Sequence, residues 1–503
     1  MDCPCASWRH LHRIGGKPDD GHHPAAARAG RKDFVKPWPA IFIACLLTGC
    51  AHFEPKPLSP EKSAAQFDAR RLDDPGLKKF LAQNLGHELT DWPLEKWDLN
   101  ALTLAAFYFH PDLEVARAQW RVAEAGARTA GARRNPSVSV SPGYDSGIPG
   151  NFSPWLIPVT FDVPIETAGK RGKRIAEAEK ISESARWSFV TAAWLVRSNV
   201  RGSLLDFQMA GRHAALLQNQ FAAQEEIVKL LQQRLDAGAI SRLELTTAQI
   251  AMNKSQLDLS AAQAKRAEAH SRLASALGVS LAALDGVNPE FDFSANVPDA
   301  LTSADARGIA LRGRADILGA LADYAAAEAD LRLQVAKQYP DLHLGPAYIW
   351  NNGSAGDSAW SLGLTLELPI LDQNQGPIGE AEARCRLAAA KFVALQAQVI
   401  GAIDRGVAGL AAARKQLQTG GAVFDAAERQ QKSVAAQVQA GAAERLDLIS
   451  AEIELNFVRL AQLDGEAQLQ STVGALEDAL QSPADVIAAI QKISTENPNP
   501  SSK

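Results

Sequence analysis

Side chains able to bind a metal ion or to act as nucleophiles are scattered along this chain. The six histidines beyond position 50 show no metal-ligand spacing, and they are His52, His87, His110, His213, His270 and His343. Methionine is nearly absent from the same region, where only Met209 and Met252 occur, so a relay of thioether ligands for soft metal ions is unsupported. No constellation typical of an enzyme is visible. The sequence therefore predicts no catalytic residue, no resident metal and no cofactor.

One cysteine stands in a context that predicts covalent chemistry. The tetrad Leu47-Thr48-Gly49-Cys50 closes an apolar stretch that begins at Trp38 and follows basic residues. This stretch is too short to span a bilayer and is typical of the apolar region of a secretory signal. The tetrad resembles a bacterial lipobox, in which the cysteine thiol is acylated and becomes the first residue of the exported chain. We expect Cys50 to carry a lipid anchor; the alternative is a chance apolar patch before a buried cysteine.

Two glycine-containing turns are each followed by a carboxylate. Gly238 and Gly441 permit tight reversals of the chain, and Glu244 and Asp447 stand six residues after them. Judged by residue type alone, these carboxylates are ordinary solvent-exposed residues at the start of a helix. A role in a constriction depends on the resemblance described below.

An internal repeat of about two hundred residues relates the two turns. Pro136 recurs 204 residues later as Pro340, and Gly238 recurs 203 residues later as Gly441. The exported chain is therefore a duplicated unit. The expected divisions are an N-terminal extension with the lipoprotein signal at 1–49, an N-terminal segment at 50–100, a first repeat at 101–278, a linker at 279–302, a second repeat at 303–482 and a C-terminal tail at 483–503.

Each repeat predicts three helices, of which one is very long. The expected helices are 102–133, 167–236 and 243–277 in the first repeat and 304–337, 378–439 and 446–480 in the second. Hydrophobic residues make up 46% of the chain and aromatic residues only 6%, which favours long, closely packed helices over an all-β globule.

Charge and hydropathy exclude two classes of protein. The net charge of −5 is far from the positive charge typical of nucleic-acid-binding proteins, so that class is excluded. No uninterrupted run of 18 apolar residues occurs, which excludes a helical transporter.

Four short segments with alternating polarity are predicted to be strands, at about 137–145, 155–165, 341–350 and 359–370. One face is apolar and the other is polar, and the polar face includes Asp162 and Glu367. Segments of about ten residues with this pattern are typical of transmembrane β-strands. Trp155, Trp350 and Trp360 stand at the loop ends, where an aromatic girdle would meet the outer interface. The alternative is two hairpins on a soluble core.

Four strands cannot close a membrane barrel by themselves. Open strand edges are not tolerated in lipid, and bacterial barrels have eight or more strands. The chain is therefore expected to oligomerise, and three copies would supply twelve strands.

The chain resembles the TolC-like outer-membrane efflux proteins over essentially all of its exported part. The resemblance rests on the duplicated helix–strand–strand–helix–helix unit, on Pro111-Asp112-Leu113 and on Asn135-Pro136. A further stretch, from Pro164 to Arg174, is similar to the strand-to-helix junction of the heavy-metal (cobalt-zinc-cadmium) branch. Its basic residues are interpreted as an orientation or lipid-headgroup feature, and they are Lys170, Arg171, Lys173 and Arg174.

The resemblance implies a mostly helical fold with a small membrane β part. It implies a homotrimer in the bacterial outer membrane, with a 12-stranded barrel continued by a helical barrel across the periplasm, where residues 50–100 would also lie. The expected partners are outer-membrane lipid, a periplasmic adaptor protein and an inner-membrane pump of the resistance-nodulation-division type. The expected function is a passive efflux duct, with metal cations as the favoured cargo. The alternatives are a duct for organic compounds or type I secretion, and a lipid-anchored periplasmic coiled-coil scaffold without a pore.

Within the family, the two glycine-containing turns form the periplasmic tips. The resemblance implies that adaptor hairpins dock there on Gly238, Ala239, Arg242, Gly441, Ala442 and Arg445. It also implies that Asp447 occupies the first acidic gate position and that Glu244 is its counterpart. The chain departs from the family pattern at Ser450, where a second gate aspartate is often found, and at Ala443, where a basic latch can occur.

Overall fold

A computed structural model of the chain describes residues 53–147, 154–293, 305–351, 358–481 and 490. Cys50 and its signal lie outside these ranges, as do most of the predicted tail and part of the predicted linker. The chain divides into two compact units, Met1–Pro60 and Glu61–Lys503, and the description that follows concerns the second.

Helices form most of the described chain. They are α1 (Pro60–Asp68), α2 (Pro75–Leu85), α3 (Leu99–Phe109), α4 (Pro111–Ala130), α5 (Lys170–Asp236), α6 (Arg242–Leu277), α7 (Ala306–Gly313), α8 (Ala315–Ala336), α9 (Gln375–Gln439) and α10 (Arg445–Leu480), with a 3₁₀ turn at Leu281–Leu284. The two long helices, α5 and α9, have 67 and 65 residues. At about 1.5 Å per residue each is roughly 100 Å long. The prediction of a mostly helical fold with a small sheet is confirmed.

The predicted single helices at 102–133 and 304–337 are each broken in two. In the first repeat the break is local, because Pro111 has no N–H to donate to the preceding turn and starts a new helix after the extended residue His110. In the second repeat no proline marks the break. There Arg314 is extended, and its guanidinium donates to the carbonyl oxygen of Asp478 at 2.8 Å and pairs with Asp316 at 2.7 Å. The second break is therefore held by a local ion pair and by tertiary hydrogen bonds to the end of α10, and the sequence pattern does not show the latter.

Within the described ranges, five strands form one antiparallel sheet. They are β1 (Ser137–Val140), β2 (Gly143–Tyr144), β3 (Trp155–Ile165), β4 (Leu342–Asn351) and β5 (Ala359–Leu366). The order is β1-β3-β4-β5, and β2 pairs with β3 on the same side as β1. The last strand was expected to reach residue 370 but ends at Leu366, opposite Leu342, where β4 begins. Beyond that point β4 offers no partner, and Pro369 has no N–H for a ladder hydrogen bond.

The two repeats are joined through this sheet. Strands β3 and β4 belong to different repeats, and they pair with Thr160 opposite Ala347 and Val163 opposite Leu344. The pairing brings the polar residues of both repeats to one face and the apolar residues to the other, because residues opposite each other in a ladder share a face.

The hydrophobic core lies among the helices. Helix α2 packs on α3, and α3 packs on α5 and α6, in a core that includes Trp97, Phe189 and Leu273, which are fully buried. A smaller core joins α8, α9 and α10 around Ile317, Leu410 and Leu476. Burying these side chains positions the long helices relative to one another.

Among the described residues, one helix contains a window that is long and apolar enough to cross a bilayer. This window lies in α9, has a mean hydropathy of 1.3 and is only 11% buried within the chain. A single window of this kind is weak support for a membrane span. Its exposed small aliphatic residues are also what a helix presents when it packs against other copies.

Candidate functional site

The apolar face of the sheet is exposed on the edge strands β1 and β5 and partly exposed on β3 and β4. On β5, Trp360, Leu362 and Leu364 are 78%, 74% and 63% exposed. Val138 on β1 and Phe161 on β3 are also exposed and lie opposite each other. Such a contiguous apolar surface is unfavourable in water, so this face requires lipid or a partner.

Three tryptophans lie at one end of the sheet. Trp155 begins β3, Trp350 stands one residue before the end of β4, and Trp360 is the second residue of β5. The ring of Trp155 packs edge-on against that of Tyr144, with 5.3 Å between the ring centroids. The rings of Trp360 and Tyr348 also pack together, with 4.6 Å between their centroids. Aromatic rings grouped at one end of an apolar sheet are suited to a membrane interface.

The polar face carries a histidine–aspartate pair. The Nδ1 atom of His343 lies 3.0 and 3.1 Å from the two carboxylate oxygens of Asp162. The alternating polarity predicts both residues on this face, whereas the scattered spacing of the histidines predicts no ligand role for His343. The two residues are 181 positions apart, and only the pairing of β3 with β4 brings them together. Glu367, the other carboxylate expected on this face, stands just beyond the end of β5.

An ion-pair cluster ties the end of the sheet opposite the three tryptophans to α5. Lys170, at the first residue of α5, donates to Asp341 at 2.6 Å, and both side chains are nearly buried. The backbone N–H of Thr167 donates to the same carboxylate at 3.2 Å, and Arg134 pairs with it at 3.2 Å. Burial raises the pKa of Asp341, but these hydrogen bonds and charges outweigh burial, so its pKa lies below the ordinary value.

The other basic residues of this junction are also bound to the chain itself. Arg171 donates to the carbonyl oxygen of Gly131 at 2.7 Å, and Lys173 donates to that of Ala168 at 2.8 Å. Arg174 forms a bidentate pair with Glu166, and the hydrogen bond from Arg174 holds the pKa of Glu166 below its ordinary value. The structure therefore gives these cations a role in fixing the strand-to-helix turn, and their contact with lipid headgroups stays a prediction.

The two helical tips have matching geometry. Gly238 and Gly441 both have φ of 73°, a left-handed conformation that favours glycine. The residues expected to dock an adaptor are exposed at these tips, and they are Gly238, Ala239, Arg242, Gly441, Ala442 and Arg445.

Both predicted gate carboxylates cap helices. Glu244 accepts hydrogen bonds from the backbone N–H and the hydroxyl of Ser241, at 3.1 and 2.9 Å, and these bonds lower its pKa. Asp447 accepts from the backbone N–H of Glu444 at 2.9 Å. Each contact belongs to a capping box at the start of α6 or α10. The spacing Ser241-Arg242-Leu243-Glu244 is a recognisable capping-box signature, so this role was available from the sequence.

Ion pairs link the tip of α10 to α5. Arg445 donates to Glu226 at 2.8 and 3.2 Å, and Arg234 pairs with Glu444. The two pairs bridge the return helix of the second repeat and the long helix of the first. Both pairs would have to break if the tips moved apart.

No group of three or more histidine, cysteine, aspartate or glutamate side chains could hold a metal ion within the part of the chain that the structure describes. The one free cysteine there, Cys385, is partly buried, and burial raises the pKa of its thiol. It is not poised as a nucleophile.

Comparison with known proteins identifies the fold and the family. The profile of the family described as Outer membrane efflux protein matches residues 108–279 and 307–481, which is more than half of the chain. The cobalt-zinc-cadmium resistance protein CzcC of Cupriavidus metallidurans is 25% identical over 312 residues, covering 60% of this chain and 72% of CzcC. The pyoverdine export outer membrane protein OpmQ of Pseudomonas aeruginosa is 25% identical over 368 residues, covering 67% of this chain and 73% of OpmQ.

The fold is shared with a solved outer membrane protein. VceC of Vibrio cholerae superposes with a TM-score of 0.63 at 21% identity, covering 76% of this chain and 95% of VceC. Together with the duplicated unit and the exposed apolar sheet, the family match leads to one conclusion. The chain belongs to the outer membrane efflux protein family, and it is an efflux protein of the outer membrane rather than an enzyme.

Proposed function

We propose that three copies of this chain close one β-barrel in the outer membrane and continue it as a helical tunnel into the periplasm, forming the passive exit duct of a tripartite efflux system. The observation that carries this proposal is the open sheet. Its apolar face is exposed, and within the described residues β1 and β5 are edge strands.

Closure of the sheet requires further copies. Unpaired strand edges are costly in hydrocarbon, where water cannot satisfy their N–H and C=O groups. Because β1 and β2 lie on the same side of β3, each chain supplies four strand positions. Three copies, the number that the family resemblance implies, would then form a barrel of twelve strands with its polar face inward.

The helices would carry the duct through the periplasm. At roughly 100 Å, α5 and α9 are far longer than a globular domain requires. A lipid on Cys50 would anchor the N-terminal segment to the same membrane. The exposed tips at Gly238 and Gly441 would dock a periplasmic adaptor, which connects the duct to an inner-membrane pump of the resistance-nodulation-division type.

The closed end would lie at these tips. Three-fold symmetry would bring three copies of Asp447, and three of Glu244, around one axis, where they attract cations and oppose closure. The Arg445–Glu226 and Arg234–Glu444 pairs would hold the tips together against this repulsion. Since Ser450 stands where a second acidic ring would be, Asp447 would supply most of the gate charge.

We favour metal cations as cargo. The junction from Pro164 to Arg174 is similar to that of the heavy-metal branch, and CzcC is by its name a cobalt-zinc-cadmium resistance protein. The similarity to OpmQ, a pyoverdine export protein by its name, supports organic compounds as the second candidate. Expression in a strain that lacks its own metal and siderophore efflux ducts separates the two: restored cadmium tolerance supports the first, and restored siderophore export supports the second.

Reconstitution tests the duct itself. Purified full-length protein in a planar bilayer should give discrete conductance steps, and chemical cross-linking in detergent should give trimers. A monomeric protein without conductance steps would instead support the periplasmic scaffold.

A further inference from the structure

The polar face of the sheet carries a pair of side chains with the chemistry of a transition-metal site. We infer that His343 and Asp162 bind a first-row divalent cation such as Zn²⁺ or Co²⁺ on the inner wall of the barrel, one site per chain. The position of this site on an inner wall rests on the proposed function. Binding by the pair itself does not, because both residues belong to one chain.

The geometry of the pair fits a shared cation. Metal–nitrogen and metal–oxygen bonds of about 2.0–2.2 Å, at angles between octahedral and tetrahedral, place the two ligand atoms roughly 2.9–3.4 Å apart. The Nδ1 atom of His343 lies 3.0 and 3.1 Å from the carboxylate oxygens of Asp162. The two ligand atoms therefore already stand at the separation that a shared cation requires, and rotation of the two side chains would direct their lone pairs at it.

The neighbouring positions leave the pair open on the polar face. Gly345 and Gly363 lie opposite each other beside it and carry no side chain. Ser137 stands opposite Asp162, and Thr365 stands opposite His343. None of these neighbours carries a competing charge. The side chains of His343 and Asp162 are 38% and 46% exposed, so a hydrated ion has access to both.

The choice of cation follows from the two ligand types. Imidazole nitrogen with a carboxylate favours Zn²⁺, Co²⁺, Ni²⁺ or Cu²⁺ over Mg²⁺ and Ca²⁺, which prefer oxygen ligands alone. When the metal takes Nδ1 of the neutral ring, the ring proton resides on Nε2, so no proton is released. The imidazolium form loses one proton on binding.

Two protein ligands make a weak site, which suits a duct. Structural zinc sites use four protein ligands, whereas here water would complete the coordination shell. Passage through a pore requires that an ion bind strongly enough to enter and weakly enough to leave. The pair would thus be a transient binding site for a cation that passes through the barrel.

Zinc binding to the purified full-length protein tests the site. With zinc chloride and a competing chromophoric chelator, His343→Gln should lower the affinity of one site per chain at least about tenfold. Asp162→Asn should do the same, and it serves as a second variant if His343→Gln fails to assemble. His87→Gln is the matched control, because that exposed imidazole lies outside the sheet, where its Nδ1 is 3.3 Å from the carbonyl oxygen of Leu85. Unchanged zinc binding in both site variants would overturn the inference.

Conductance measured on the same preparations separates the two proposals. Open wild-type channels together with zinc binding that does not depend on His343 would refute the metal site and leave the duct intact. Zinc binding that depends on His343 without any conductance would support the site and refute the duct. Zinc that binds at His343 but leaves the single-channel current unchanged would show that the pair does not face the lumen.

Discussion

Placing a charge on the apolar face of the sheet should prevent stable membrane assembly. Leu364 is 63% exposed on β5 and pairs with Leu344 on β4, so an arginine there would face lipid if the barrel forms. Thr365, the next residue, faces the opposite side beside His343. The variants Leu364→Arg and Thr365→Arg therefore introduce the same charge one position apart on the two faces.

The depth of Leu364 sets the size of the effect. It stands four residues from Trp360, which is about 13 Å along the strand and about 10 Å along the membrane normal at a typical tilt. Since the apolar band of such barrels is about 25 Å tall, Leu364 lies near its middle. A midplane arginine costs roughly 2–4 kcal/mol, or roughly 6–12 kcal/mol for three copies in one barrel.

Refolding into phospholipid vesicles measures this cost. Urea titration followed by tryptophan fluorescence should show the loss for Leu364→Arg, together with loss of the trimer band on unheated gels. Thr365→Arg should change the unfolding free energy by less than about 1 kcal/mol, because a lumen face is already wet. Equal losses for the two variants would show that the alternation belongs to a soluble sheet, and the reasoning would be wrong.

Three further predictions concern the anchor, the gate and the strand-to-helix junction. Cys50→Ser should abolish fatty-acid labelling, and unchanged labelling would refute the lipobox assignment. Asp447→Asn removes the charge but keeps an oxygen that can accept the hydrogen bond from the backbone N–H of Glu444. In bilayer recordings it should lower the cation selectivity of the channel and its block by multivalent cations added from the periplasmic side. Reversal potentials equal to those of the wild type would show that Asp447 does not line the gate. Because the pKa values of Glu166 and Asp341 are lowered in the folded state, their contribution to stability is complete above the unfolded values of about 4 and is lost as pH falls through the lower folded values. Urea midpoints measured between pH 7 and pH 3 should therefore fall less in Asp341→Asn than in wild type, and parallel curves would contradict this assignment.

The family, the efflux function and the outer-membrane location followed from the sequence, and the family match confirms them. The reason is that the informative features are periodic or repeated. A strand face is defined by every second residue, so the alternation from Trp155 to Val163 shows an apolar face without knowledge of the partner strand. The duplicated unit is likewise visible in the sequence alone, because its landmarks recur at a nearly constant spacing.

Tertiary structure decided which of these features meet. Lys170 and Asp341 form an ion pair across 171 residues, and His343 meets Asp162 across 181. Local pattern determines which face of an element is polar, but not the register that places one polar residue beside another. The break at Arg314 has the same origin, since backbone carbonyl groups at the end of α10 hold it where no proline is present. The composition and polarity pattern of this chain thus determined its long helices and its two-faced strands. The pairing of β3 with β4 and the contact of Arg314 with the end of α10 decided where charges, hydrogen bonds and helix ends lie, because those contacts join residues that are distant in sequence.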